Sequence, residues 1–112
     1  MDVTSTIEIS KSAYQNNLTF IRSLIGESCI FSSVIKGNAY GHGIETFAPM
    51  AEEVGVNHFS VFSANEAYRF KKVSNGESTV IIMGVADSTQ ELEWAIDLNI
   101  EFFVFDLERL QK

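Results

Sequence analysis

The segment Val34-Ile35-Lys36-Gly37-Asn38-Ala39-Tyr40-Gly41-His42-Gly43 places an amine, a phenol and an imidazole in one short stretch, with glycine at 37, 41 and 43. Lys36 ends the apolar run Ser33-Val34-Ile35. A lysine withdrawn from water is less readily protonated, and its neutral amine attacks carbonyl carbon to form an imine. Tyr40 carries a hydroxyl that can donate to an anionic group such as a phosphate. The glycines permit tight turns and close approach of a ligand to the backbone. The loop then leads into a helical pattern whose first N–H groups favour anions. The competing reading of the same residues is a solvated lysine followed by an ordinary turn.

Four short runs must supply the frame: IFSSVIK (30–36), HFSVF (58–62), TVIIMG (79–84) and IEFFVF (100–105). Each is rich in β-branched or aromatic residues and bounded by turn signals, as strands are. Helical patterns lie between and before them. Ser10 reads as the N-cap of a first helix with Tyr14, Leu18, Ile21 and Leu24 or Ile25 at helical spacing, closed by Gly26. A second carries Ile44, Phe47, Ala51 and Val54 before Gly55. Pro49 falls inside it; a start near Glu45 or Thr46 puts the proline in the tolerated first turn, whereas a start at His42 predicts a kink near Ala48. Ser63 with Glu66, and Ser88 with Glu91, read as capping boxes opening a third and a fourth helix. Asp106 caps a fifth over Leu107–Lys112.

Strands alternating with helices predict a parallel sheet built from βαβ units. The strands are apolar on both faces, as in a sheet covered on both sides. An open doubly wound sheet and a (β/α)₈ TIM barrel both fit. A barrel needs about 250 residues, so in that architecture residues 1–112 are its N-terminal portion, with about four parallel strands, and the chain reads as a fragment. In either architecture function gathers at the C-terminal ends of the strands, where Lys36 lies.

The stretch VIKGNAYGHG resembles the cofactor-lysine signature of the alanine racemases, fold-type III enzymes dependent on pyridoxal 5′-phosphate. EISKSAYQNNLTFIRSLIG is similar to the family's opening segment, FSVFSANEAYRFKK to its second strand and helix, and TVIIMG to its third strand. The resemblance covers the chain and implies the N-terminal part of the barrel domain. It implies that Lys36 joins pyridoxal phosphate as an imine and is one of two acid/base groups at the substrate Cα. It implies that Tyr40 hydrogen-bonds the cofactor phosphate. Asn38, Gly41, His42 and Gly43 would shape the loop, with His42 either orienting the site or bonded to nearby backbone. Met83 would touch the cofactor or belong to the core. Gly37 stands where the family usually has alanine. The second base, a tyrosine from a C-terminal β-domain contributed across a dimer interface, is not in this sequence, so the parent protein is expected to be a homodimer and this chain alone inactive. The implied activity is interconversion of L- and D-alanine for peptidoglycan synthesis. Other readings are a serine or broad-specificity racemase, a decarboxylase of the same fold, or a non-catalytic module binding the cofactor.

Composition bounds the partners. The formal charge is −7, from 8 Lys+Arg against 15 Asp+Glu, which disfavours nucleic acid. Hydrophobic residues make up 46%, enough for a core. No run is long enough to span a bilayer, and MDVTSTIEIS lacks the features of a signal peptide. Cys29 is the lone cysteine and reads as a small buried hydrophobe, in keeping with a reducing cytoplasm. A small amino-acid substrate and no metal complete the expectation.

Overall fold

A computed structural model describes residues 4–111. The chain runs α1 (Lys11–Ile25), β1 (Ser33–Val34), α2 (Lys36–Tyr40), α3 (Ile44–Glu53), β2 (His58–Val61), α4 (Ala64–Val73), β3 (Thr79–Ile82), α5 (Thr89–Asp97), β4 (Glu101–Phe102) and α6 (Leu107–Leu110). The helices start where the sequence puts their caps: Ser10, Ser63 and Ser88 each accept a hydrogen bond from the N–H three residues on. Gly26 closes α1 with φ +77°, its N–H donating to the Arg22 carbonyl.

The four strands pair in chain order, β1-β2-β3-β4, and every pair is parallel. A doubly wound sheet reverses its order at a switch point; this one does not. Four parallel strands alternating with helices in unbroken order are the N-terminal portion of a TIM barrel, as expected. The paired stretches are shorter than the apolar runs, with two residues each in β1 and β4. Each of those strands has a partner on one side only among the described residues.

Alternation across the sheet separates two faces. Ser33, Ile35, Phe59, Val61, Val80, Ile82 and Ile100 are buried on the face that the helices cover. Phe70 and Ala67 of α4 and Ala48, Ala51 and Ile44 of α3 complete this core. The Phe59 and Phe70 rings lie 4.7 Å apart. The other face is open: Val34, Phe62, Phe103 and Phe105 are exposed. The expectation of strands covered on both sides is therefore met on one side only, because no described element lies against the second. At the N-terminal end of that open face, His58 bonds Ser32 Oγ through Nδ1 and Glu101 Oε1 through Nε2, both at 2.7 Å, and Ser32 reaches Ser60 at 2.6 Å.

Gly84 shows how closely β2 and β3 approach at the other end. Its N–H donates to the Phe62 carbonyl at 2.9 Å, and a Cβ there would lie 2.4 Å from that same oxygen. Gly84→Ala must push the two strand ends apart. We expect it to cost about 1–3 kcal/mol, read from the urea midpoint; a midpoint equal to wild type would show that the strands are not so tightly apposed.

Three further expectations are corrected. Cys29 is exposed rather than buried, since it sits in the segment before β1, ahead of the paired residues. Pro49 is the sixth residue of α3, past the first turn, so the Glu45 carbonyl loses its usual i+4 donor. The expected final helix stops at Leu110, and Lys112 lies outside the described residues. No described helix is long and apolar enough to cross a membrane.

Candidate active site

Lys36 follows β1 at the C-terminal end of the sheet. The Ile35 N–H still joins the ladder, donating to the Ser60 carbonyl at 2.9 Å. The chain then leaves the strand at Ile35, whose ψ is 21°. The next rows of the neighbouring strands are Phe62, exposed, and Met83, half-buried.

From Gly37 to Tyr40 the backbone makes a left-handed turn. Gly37, Asn38 and Ala39 have φ/ψ of 60/40°, 56/46° and 56/44°, and Tyr40 has φ 56°. Glycine takes this conformation freely and asparagine tolerates it, but an ordinary L-residue pays about 1–2 kcal/mol. Ala39 and Tyr40 are thus strained, and the turn persists only because its surroundings fix it.

Backbone bonds supply part of the hold: Ala39 N–H to Ile35 O at 2.8 Å, His42 N–H to Ala39 O at 3.0 Å, and Gly43 N–H to Asn38 O at 2.9 Å. Asn38 supplies the rest. Its Oδ1 accepts from the Ile44 N–H at 3.0 Å and from Arg69 Nη2 at 2.7 Å, and its own N–H donates to Glu66 Oε2 at 3.3 Å. Glu66 Oε1 also accepts from the Phe62 N–H at 2.8 Å. Arg69 grips Glu45 with Nε and Nη2, each at 2.8 Å.

Neither Asn38 as a bonding centre, nor Glu66, Arg69 and Glu45 as its partners, was legible as part of the site. The sequence pairs Glu66 with Ser63 in a capping box. In the structure the Ser63 half exists, but the Glu66 carboxylate serves Phe62 and Asn38 instead. The spacing of Glu66 and Arg69 on one helix face is the only trace of this link in the sequence.

The anion site expected at the start of α3 is taken up by the chain itself. The Ile44 N–H goes to Asn38, those of Thr46 and Phe47 go to the Gly43 carbonyl, and Glu45 occupies the first turn. His42 is exposed, and among the described residues its ring bonds nothing, so the expected bond to nearby backbone is not made. Lys36 is exposed rather than withdrawn from water, because the sheet face beside it is open. Tyr40 is 65% exposed.

Arg69's hydrogen bonds to Glu45 hold that carboxyl below the ordinary carboxylate range. A depressed folded value means the pair stabilises the protein above the unfolded value and that this is lost as pH falls through the folded one. The Glu45 side chain is exposed and that of Arg69 partly so, and solvent screening keeps the effect small. The gap in urea midpoint between wild type and Glu45→Gln is expected to close as pH drops below the carboxylate range; a gap constant with pH would contradict the pairing.

The described residues offer an amine and a phenol on one short loop, each without a side-chain hydrogen bond to another described residue. They fit a ligand carrying both an aldehyde and a phosphate. No group of three His, Cys, Asp or Glu side chains among the described residues could hold a metal.

Comparison with known proteins identifies the family. The family model for the N-terminal domain of alanine racemase matches residues 9–112. An alanine racemase of Leptospira interrogans is 36% identical over 80 residues, covering 71% of this chain and 20% of that protein. A lysine racemase of Proteus mirabilis is 33% identical over 109 residues, 96% of this chain and 26% of that protein. The crystal structure of alanine racemase from Oenococcus oeni superposes with a TM-score of 0.82 at 25% identity, over 93% of this chain and 28% of that one. The chain thus spans about a quarter of the length of the proteins it matches. The family-model match across nearly the whole chain shows that this chain belongs to the alanine racemase family, within its N-terminal domain.

Proposed function

We propose that the whole protein is a pyridoxal 5′-phosphate-dependent racemase acting on alanine, with Lys36 as its catalytic and cofactor-binding residue and Tyr40 as a phosphate-binding residue. The observation that carries this reading is the placement of Lys36 at the C-terminal end of the first of four parallel strands, with the phenol of Tyr40 at the far end of one left-handed turn. The bound cofactor supplies an electron sink that makes the substrate Cα–H acidic.

Lys36 Nζ would hold the cofactor through its aldehyde carbon, with loss of water. The Lys36 amine would take or return the substrate Cα proton on one face. Tyr40 would hold the cofactor phosphate by donating its O–H to it, from the far end of the turn that begins at Lys36. Inversion needs a second base on the opposite face, and the family resemblance assigns it to a tyrosine from a C-terminal domain across a homodimer interface. In this reading the protein works in the cytoplasm and supplies D-alanine for peptidoglycan.

A second substrate has specific support, since the relative from Proteus mirabilis is a lysine racemase. Incubating the whole protein and pyridoxal phosphate with L-alanine, L-lysine or L-serine, followed by chiral chromatography, separates the readings. D-alanine forming fastest is the expected result. A preference for lysine would replace alanine as substrate, and no D-amino acid at all from cofactor-loaded protein would contradict the racemase reading. The isolated 112-residue chain, which lacks the second base, is expected to give none.

A further inference from the structure

The left-handed turn is the only covalent path between the two groups to which the proposed function assigns the cofactor. Lys36 precedes it and Tyr40 ends it, so its dihedral angles set how far apart the amine and the phenol stand. The turn is strained at Ala39 and Tyr40, and a strained segment relaxes unless something outside it prevents that.

We propose that Glu66 and Arg69, on a helix that the chemistry does not reach, are positioning residues that act through Asn38 to hold the Lys36–Tyr40 spacing required by the cofactor. This rests on the reading of Lys36 and Tyr40 given above.

Three observations support it. First, the bonds converge on one residue: Asn38 receives Arg69 on its side chain and presents its N–H to Glu66, and it lies in the middle of the turn. Second, the helix that delivers them is anchored. Ala67 and Phe70, which directly follow Glu66 and Arg69 in sequence, are fully buried, and Phe70 packs on Phe59 of β2. Glu66 also holds the Phe62 N–H at the end of β2, so one carboxylate ties the turn to the neighbouring strand end. Third, Arg69 is itself fixed by two bonds to Glu45 at the start of α3, immediately beyond the loop. Exposed ion pairs of this kind add little to global stability. Their consequence is geometric.

A residue that contributes only to folding weakens cofactor binding independently of Tyr40. A residue that places Tyr40 does not. The test is therefore a double-mutant cycle in the whole protein, read as the dissociation constant of pyridoxal phosphate from its Lys36-dependent visible absorbance. Tyr40→Phe and Arg69→Ala are each expected to weaken binding about tenfold, the scale of one hydrogen bond to a charged group. The double variant is expected to be weakened about tenfold as well, not about a hundredfold. Glu66→Gln, which keeps the side chain's shape and one accepting oxygen, forms a second cycle with Tyr40→Phe. It should show the same non-additivity at smaller size and decides the matter if Arg69→Ala does not fold, as judged by circular dichroism. Additive losses in the cycle would overturn the positioning role while leaving Lys36 and Tyr40 in place. Wild-type protein with no absorbance dependent on Lys36 would overturn the underlying reading, and the positioning role with it.

Discussion

Lys36→Arg is expected to abolish racemisation as completely as Lys36→Ala, although arginine keeps the positive charge and a similar length. A guanidinium stays protonated in proteins and neither condenses with an aldehyde nor accepts a Cα proton at neutral pH. Loss of a positioned acid/base group alone lowers a rate by about 10²–10⁴-fold, and loss of the covalent attachment adds to it. The arginine variant separates chemistry from charge. If Lys36 serves only to attract an anion, arginine retains most of the rate; if it reacts, arginine retains none. A small primary amine added to Lys36→Ala is expected to restore part of the activity, since it replaces the missing group without altering the fold. Rates are read by chiral chromatography of alanine. Lys36→Arg at more than a tenth of wild-type activity would contradict the role given to this lysine.

The second large effect is on stability. Phe59 lies in the centre of β2, fully buried, with Ser33 and Val80 as its register partners and the Phe70 ring 4.7 Å away. Phe59→Ala removes the ring on which Phe70 of α4 packs and is expected to cost about 3–5 kcal/mol. Phe20 on α1 is 64% exposed, and Phe20→Ala is expected to change stability by no more than about 0.5 kcal/mol. Urea unfolding of the two variants checks the assignment of the helix-covered face. Equal losses would mean that the core lies elsewhere. Because Phe70 and Phe59 also anchor the helix carrying Glu66 and Arg69, this packing joins the stability of the fold to the geometry of the turn.

Much of the frame was legible because it rests on local rules. Serine at 10, 63 and 88 caps α1, α4 and α5 as read, since each side chain needs only an N–H three residues away. The four strands follow from their β-branched and aromatic content, and Lys36 at a strand end from its position after Ile35. What could not be read depends on contacts between distant segments. Both barrel and doubly wound sheets fit the alternation; only the spatial order β1-β2-β3-β4 separates them. The capping-box glutamates were half right. Glu66 and Glu91 each bond the N–H one residue before their cap, at Phe62 and Asp87, rather than that of the cap itself.

The left-handed turn was the least legible feature. Ala39 and Tyr40 have no local preference for positive φ, so propensity argues against the conformation they adopt. It exists because Asn38 is held from α4, twenty-eight residues further on at Glu66 and thirty-one at Arg69. Burial of Lys36 was misread for a related reason. A strand-end lysine is withdrawn from water only when other elements close over it, and none of the described ones does.

Covalent attachment of the cofactor to position 36 can be measured directly. The protein is mixed with pyridoxal 5′-phosphate, the imine is reduced to a stable secondary amine with borohydride, and the digested peptides are mapped by mass spectrometry. The expected result is phosphopyridoxyl mass on the peptide containing Lys36, with Lys11, Lys71 and Lys72 labelled only at trace level. Labelling of Lys11, Lys71 and Lys72 equal to that of Lys36, or labelling that leaves Lys36 unmodified, would contradict the assignment of this residue.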